Sequence, residues 1–338
     1  MPLAPGAGVN WRCRLGRGWG SALLVCALLA GGQVLAQQVS LVFAGDTTLD
    51  DEPGALIERG GDPFAGFAPL FAGADIRIAN LECVVATKGE AGSKNYTFRA
   101  HPRVLPVLKR HLDGVTLANN HSGDFGREAF AEMLGLLRQS GLAQAGGGMN
   151  LAEAHTPWIV ERKGLRIAIL SYNEFMPRSF EALHDAPGTA WSEDEQVVAD
   201  IRRARSVHRA DLVIPFMHWG WENEHSANAR QRLLARKMID AGADAVIGGH
   251  PHVTQDIEHY QGKPIVYSVG NFVMKETDNE AQRQAWVLRM VFDRQGAVGF
   301  ETHAVHIGMD GVPAPDPKTP SPCWQRGQAQ VGQCLAGR

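Results

Sequence analysis

The densest chemistry in this chain is a series of histidines, carboxylates and carboxamides, each placed just after a short apolar run. Gly45-Asp46 follows the run 39–44, and Asn80-Leu81-Glu82 follows 75–79. Asn119-Asn120-His121 comes after 115–118, His218 after 212–217, and Gly248-Gly249-His250-Pro251-His252 after 245–247. If these runs are strands of one α/β domain, their carboxyl ends gather on a single edge, which is where such sheets bind ligands. Asp46, Glu82, Asn120, His218, His250 and His252 would then surround one small volume. A mixed imidazole and oxygen set suits Mn, Fe or Zn better than Ca or a thiolate-bound metal. A carboxylate can bridge two such ions, and a pair of ions serves hydrolytic displacement. Taken singly, the signals are weak: an Asp after a strand is commonly a cap, an Asn pair a loop, and a His a satisfied polar residue. A His-x-His behind two glycines at a strand end is harder to dismiss, and the ordered set is more telling than any member.

The elements that must position these residues are legible as alternating patterns. Buried strands are expected at 39–44, 75–79, 115–118, 166–170, 212–217, 245–247 and 265–269. Amphipathic helices are expected at 103–111, 127–140, 193–208 and 228–241, the last capped by Ser226 and stopped by Gly242. Strand and helix in alternation imply a layered α/β domain with a mainly buried sheet. Segments 286–292 and 300–306 alternate as antiparallel strands do. The stretches 51–73 and 87–100 read as long polar loops, and 310–338, rich in Pro, Gly and Gln, as a loosely ordered tail.

Residues 1–36 differ from the rest. Arg12, Arg14 and Arg17 precede an apolar run at 21–30, and Val34-Leu35-Ala36 places small residues before Gln37. That order is a secretory signal peptide, and the run is shorter than the roughly 20 residues a membrane span needs. The domain proper is then 37–309, in a periplasmic or extracellular protein. Removing three arginines and no acids leaves 30 basic against 36 acidic residues, a net charge of −6. Such a balance argues against nucleic acid as a partner. Of the five cysteines, Cys13 and Cys26 leave with the signal, and Cys83 sits at an apolar strand end as a small buried side chain. Cys323 and Cys334 stand 11 residues apart, where an oxidising compartment would let them pair.

The order of the blocks resembles the calcineurin-like metallophosphoesterases, and more closely their CapA branch, associated with poly-γ-glutamate capsule synthesis. The resemblance rests on Gly45-Asp46, Asn80-Leu81-Glu82, Asn119-Asn120-His121 with Asp124, His218-Trp219-Gly220 with Glu222, Gly249-His250-Pro251-His252 and Gly270-Asn271-Phe272. It implies a metallophosphoesterase-like layered sandwich of mixed β-sheets flanked by α-helices, with two divalent ions. By that likeness Asp46 and His252 hold the first ion, Asn120, His218 and His250 the second, and Glu82 bridges them. His121 acts as donor or general acid, and Asp124 either orients its ring or caps a helix. Asn80, Asn119, Glu222 and Asn271 are expected against substrate, Glu222 and Asn271 with loop roles as the alternatives. The chain departs from the wider superfamily at Thr48, where a first-ion histidine is expected, and at Glu82, where an aspartate is. The function implied is an exported metal-dependent hydrolase of a phosphoester or of an acidic cell-envelope polymer such as poly-γ-glutamate. The alternative is a non-catalytic accessory protein for polymer synthesis, export or anchoring, with a membrane-bound capsule synthase as partner.

Overall fold

Two faces of one strand explain the architecture. Along Val39–Thr47, Val39, Leu41 and Phe43 point into one apolar cluster, while Val42 and Ala44 point into another. Side chains alternate along a strand, so a strand apolar on both faces must be covered on both. In the computed structural model, which describes residues 37–176, 178–275 and 278–334, this is what happens. A ten-stranded mixed sheet built around Val39–Thr47 faces a six-stranded sheet built around Leu212–His218. The core between them joins Leu41, Phe43, Ile78, Met290 and Phe292 of the larger sheet to Ile167, Ile169, Ile214, Phe216 and Ile247 of the smaller. Helices cover the outer faces. Leu105–His111 and Gly126–Ser140 lie on the first sheet, Asp194–Ser206 and Ala229–Ala241 on the second. The result is the layered sandwich of mixed sheets and flanking helices that the resemblance implies.

The strands carrying the candidate residues run parallel. Val39–Thr47 pairs in parallel with Ile76–Leu81, which pairs in parallel with Gly114–Thr116. In the other sheet, Leu212–His218 is flanked in parallel by Leu165–Asn173 and Val246–Gly249. Their carboxyl ends therefore share an edge. Gln284–Asp293 and Gly296–Ile307 pair antiparallel, as their alternation implies.

Four expectations are corrected. The stretch 51–73 is not a loop: it holds helices Asp51–Glu58 and Ala68–Ala72 and a turn at Ala65–Phe67. Pro53 sits in a first helical turn, where proline is tolerated, and Phe64, Phe67 and Phe71 all pack against Phe272. The cap of the last helix is Asn228, not Ser226; Asn228 and Gln231 form a reciprocal capping box. The helix 193–208 stops at Ser206. Residues 310–338 are not a loose tail through 334, because Pro313–Pro315, Ser321–Gln325 and Gly332–Cys334 extend the larger sheet. Trp324, 5% exposed, anchors them against His259 and Phe300, a burial that contributes roughly 1.5–3 kcal/mol. Cys323 and Cys334 are disulfide-bonded with Cα atoms 5.8 Å apart, and Cys83 is free and buried. The expected signal segment lies outside the described residues, and among those described no helix is long and apolar enough to cross a membrane.

Candidate metal centre

The first candidate ligand is aimed by a break in its own strand. The register of Val39–Thr47 slips between Ala44 and Asp46 against one neighbour, and between Asp46 and Thr47 against another. Such a bulge interrupts side-chain alternation and turns Asp46 toward the shared edge. A β-carbon at Gly45 would lie 1.8 Å from Gly270 O, so only glycine lets the two backbones approach. Asp46 is completely buried. Its Oδ1 accepts from Asn80 Nδ2 at 2.7 Å and its Oδ2 from His250 N–H at 3.0 Å.

The second turn is equally specific. A β-carbon at Gly249 would stand 2.8 Å from Asp46 Oδ1, which accounts for the glycine before His250. His250 and His252 then adopt positive φ values of 93° and 60°. Non-glycine residues held there cost about 1–3 kcal/mol each, a strain that recurs at functional sites. The strained turn throws both imidazoles to the sheet edge, with ring centroids 5.7 Å apart.

Together these residues form two ligand groups that share one carboxylate. Glu82, His218 and His250 make one, and Asp46, Glu82 and His252 the other, each with ligand atoms within 4.8 Å of one another. At His218 Nε2 the convergence is tightest: Asn120 Oδ1 lies at 2.7 Å, His250 Nδ1 at 3.1 Å and Glu82 Oε1 at 3.3 Å. The donors fit divalent cations. Both oxygens of Glu82 and Nε2 of His250 are buried without a hydrogen-bond partner. A fully buried carboxylate that faces imidazoles but accepts no hydrogen bond is costly in a protein interior unless a cation meets it.

The electrostatics follow from crowding. Burial, then the charge of Glu82, raises Asp46 to about 6. Burial opposes ionisation of Glu82 as well, but His218, His252 and His121 outweigh it and hold this carboxylate down to about 2. Two adjoining carboxylates are thereby driven apart. Burial and the neighbouring imidazoles push His250 well down, which keeps it neutral, the form that binds metal. His252 is raised despite burial because Glu82 and Asp46 face it.

The remaining sequence candidates divide. His121 and Asp124 meet: Nδ1 and Oδ2 are 2.7 Å apart, and Asp124 is fully buried. The helix-cap alternative for Asp124 fails, since the residue before Gly126–Ser140 is Phe125 and no side chain caps it. Asn80 and Asn119 lie behind the ligands and not in the cleft lined by His121 and His252. Asn80 spans Asp46 and, at 3.3 Å, His218 Nδ1; Asn119 donates to Asn80 Oδ1 and Leu81 O and accepts from His121 N–H. Both are buried brackets between ligand-bearing strands. Asn271 is also buried, its Oδ1 2.9 Å from His252 Nδ1, but it borders a cleft. That cleft, about 610 Å³, is lined by His121, His252, Glu222, Tyr96, Phe98 and Asp50 among others. Glu222 stands exposed at its rim. Thr48 is buried with its hydroxyl donating to Val273 O at 3.4 Å.

Sequence reading missed the aromatic cover. Phe175 lies 3.8 Å from the His250 ring and Phe98 4.4 Å from His121, measured between centroids. Neither carries a ligand atom or a periodic signal that marks it.

An α/β sandwich with a paired, carboxylate-bridged ligand cluster at the common strand edge defines the class of protein. The family description "Bacterial capsule synthesis protein PGA_cap" matches residues 40–276, and the chain belongs to that family. It is 31% identical over 283 residues to the PGA biosynthesis protein CapA of Bacillus subtilis, an alignment covering 82% of this chain and 73% of that one. It is 26% identical over 249 residues to the capsule biosynthesis protein CapA of Bacillus anthracis, covering 71% and 61% respectively. A solved structure of a hypothetical protein from Thermus thermophilus matches with a TM-score of 0.50 and 17% identity, over 78% of this chain and 98% of that one. At that identity the likeness concerns fold alone.

Proposed function

We propose that the protein is an exported, metal-dependent hydrolase that acts on a phosphoester or on an acidic envelope polymer of the poly-γ-glutamate type. The observation that carries this reading is the Glu82 carboxylate, buried without a hydrogen bond between two sets of imidazole and oxygen ligands. Asp46, Glu82 and His252 would hold one divalent ion, and Glu82, His218, His250 and Asn120 the other. Mn, Fe or Zn suits this donor set. Such a pair, when bound, polarises a phosphoryl or carbonyl oxygen and lowers the pKa of water.

The chain's own residues supply the rest. Asp124 fixes the His121 ring through Nδ1, which leaves Nε2 as the nitrogen to meet a leaving group at the cleft. Phe98 and Phe175 cover the imidazoles of His121 and His250 and limit water at those faces. Asn271 holds His252, and Glu222, at the rim of the cleft, would contact substrate. The disulfide at Cys323–Cys334 accords with export, because such bonds persist in oxidising compartments. The names of the relatives favour a place in polyglutamate capsule synthesis, where a membrane-bound synthase is the natural partner.

The test is metal content and turnover of the purified protein beside Asp46→Asn, with a nitrophenyl phosphodiester and poly-γ-glutamate as substrates. The expected result is near two transition-metal ions per chain and hydrolysis of one substrate, both diminished in the variant. Two ions without turnover of either would favour the accessory role. Failure to take up Mn or Zn at all would overturn the metal reading.

A further inference from the structure

The segment 87–100 has the composition of an ordinary polar loop, yet it is tied to the candidate centre by one side chain and one residue's carboxylate. Asp124 is the hub. Its Oδ2 takes His121 Nδ1 at 2.7 Å and Phe98 N–H at 2.8 Å. Its Oδ1 takes Lys94 Nζ at 2.6 Å, and its main-chain oxygen accepts from Gly92 N–H at 2.8 Å. The same Lys94 ammonium donates to Asn120 O at 2.8 Å. Lys94 therefore grips both ends of the turn that presents Asn120 and His121. Asp124 is wholly buried and Lys94 is about one-third exposed, so the pair is only partly screened by solvent.

We infer that Lys94 is a positioning residue for the candidate centre, holding Asn120 toward the ion shared by Glu82, His218 and His250, and His121 toward the cleft. This rests on the metal reading above. The physical case has two parts. Without Lys94, Oδ1 of Asp124 is a buried carboxylate oxygen deprived of its donor, and the group must turn to find another. Turning it releases the His121 ring and the Phe98 main chain, which share the opposite oxygen. Without Lys94, Asn120 also loses the contact that fixes its carbonyl, and its Oδ1 no longer keeps its place 2.7 Å from His218 Nε2. Partners that orient metal ligands from outside the ligand set typically matter by 10–100-fold in affinity. The segment does more than lock the turn: Asn95, Tyr96, Thr97 and Phe98 line the cleft, and Tyr96 is 72% exposed. Lys94 thereby couples the wall that meets substrate to the residues behind it.

The experiment compares the purified protein with Lys94→Met and Lys94→Arg. Titration with Mn²⁺ by calorimetry should show two sites in the parent, one of them weakened roughly 10–100-fold in Lys94→Met and the other unchanged. Lys94→Arg, which keeps a cationic donor, should recover most of the loss. Equal titration of Lys94→Met and parent would overturn the inference, as would equal weakening of both sites with a lowered metal-free Tm, the mark of a merely structural role. A second readout needs no metal. Chymotrypsin should cut the metal-free Lys94→Met chain after Tyr96 or Phe98 roughly tenfold faster than the parent, because the anchored segment now opens locally. An unchanged rate would overturn the inference. A parent that binds no Mn²⁺ while Lys94→Met still opens the segment would instead count against the metal reading and leave the anchoring role standing.

Discussion

The two ligand groups share Glu82 but differ in how firmly the fold holds them. In the group of Glu82, His218 and His250 every member is buried, and Asn120 adds a fourth donor atom 2.7 Å from His218 Nε2. In the group of Asp46, Glu82 and His252 the last side chain is 14% exposed and borders the cleft. Thr48, the position where the wider superfamily resemblance expects a further ligand, turns its hydroxyl to Val273 O. A deep pocket that a carboxamide joins, beside a shallower one that borders the cleft, predicts unequal affinity, with the shallow site the one that exchanges its ion and meets substrate. Removing one partner separates the pockets only if the partner is not shared, which ranks the tests that follow.

Glu82→Gln should have the largest effect. It removes the carboxylate common to both groups and should abolish tight binding of both ions, a loss greater than the roughly 10–100-fold attached to outer partners. Metal analysis after gel filtration checks this, and retention of a full pair would break the idea of a shared ligand. Because the surrounding imidazoles favour the ionised carboxylate in the fold, holding it down to about 2, the metal-free variant should melt lower than the metal-free parent at neutral pH.

The next tests separate the pockets. His252→Ala should keep one tightly bound ion and lose the weaker. His250→Ala should lose the tight ion and keep only one that a mild chelator strips. Competition titrations with a chelator measure both. If His252→Ala loses the tighter ion, the ordering of the pockets is reversed and the burial argument fails.

What was legible in the sequence was the positions that carry ligand atoms. Polar residues placed straight after apolar strands announce a functional edge, and His250-Pro251-His252 behind Gly248 and Gly249 is a pattern that packing alone does not demand. The layered α/β fold was legible for the same reason, through runs such as 39–44 and 212–217 that are apolar on both faces. Less legible was which carboxamides bind and which brace. Asn80, Asn119 and Asn120 are alike in type, and only the register of Ile76–Leu81 against its neighbours makes Asn80 a strut between Asp46 and His218. Contacts made across long sequence separation were invisible: Phe175 over His250, or Lys94 on Asp124, leave no local period. The segments 51–73 and 310–338 misled because Gly and Pro mark turns without saying what the aromatic residues between them will bury against. Phe64, Phe67 and Phe71 found Phe272, and Trp324 found Phe300.

The smallest effect is expected at Thr48, and it bears on the same inequality. In the wider superfamily resemblance this position is where another ligand of the shallow pocket is due. Here its hydroxyl is buried, donates to Val273 O at 3.4 Å and lies 3.6 Å from Met274 Sδ. Thr48→Ala should therefore cost about 1 kcal/mol of stability, the net worth of a hydrogen bond of this kind, and leave metal stoichiometry and both affinities unchanged. Thermal melts of the metal-free protein and Mn²⁺ titration measure the two quantities separately. A drop in affinity at the shallow pocket would mean that Thr48 reaches the ion after all, as a direct or water-borne donor. The two pockets would then be closer in strength than their burial implies, and the order of the preceding tests would compress accordingly.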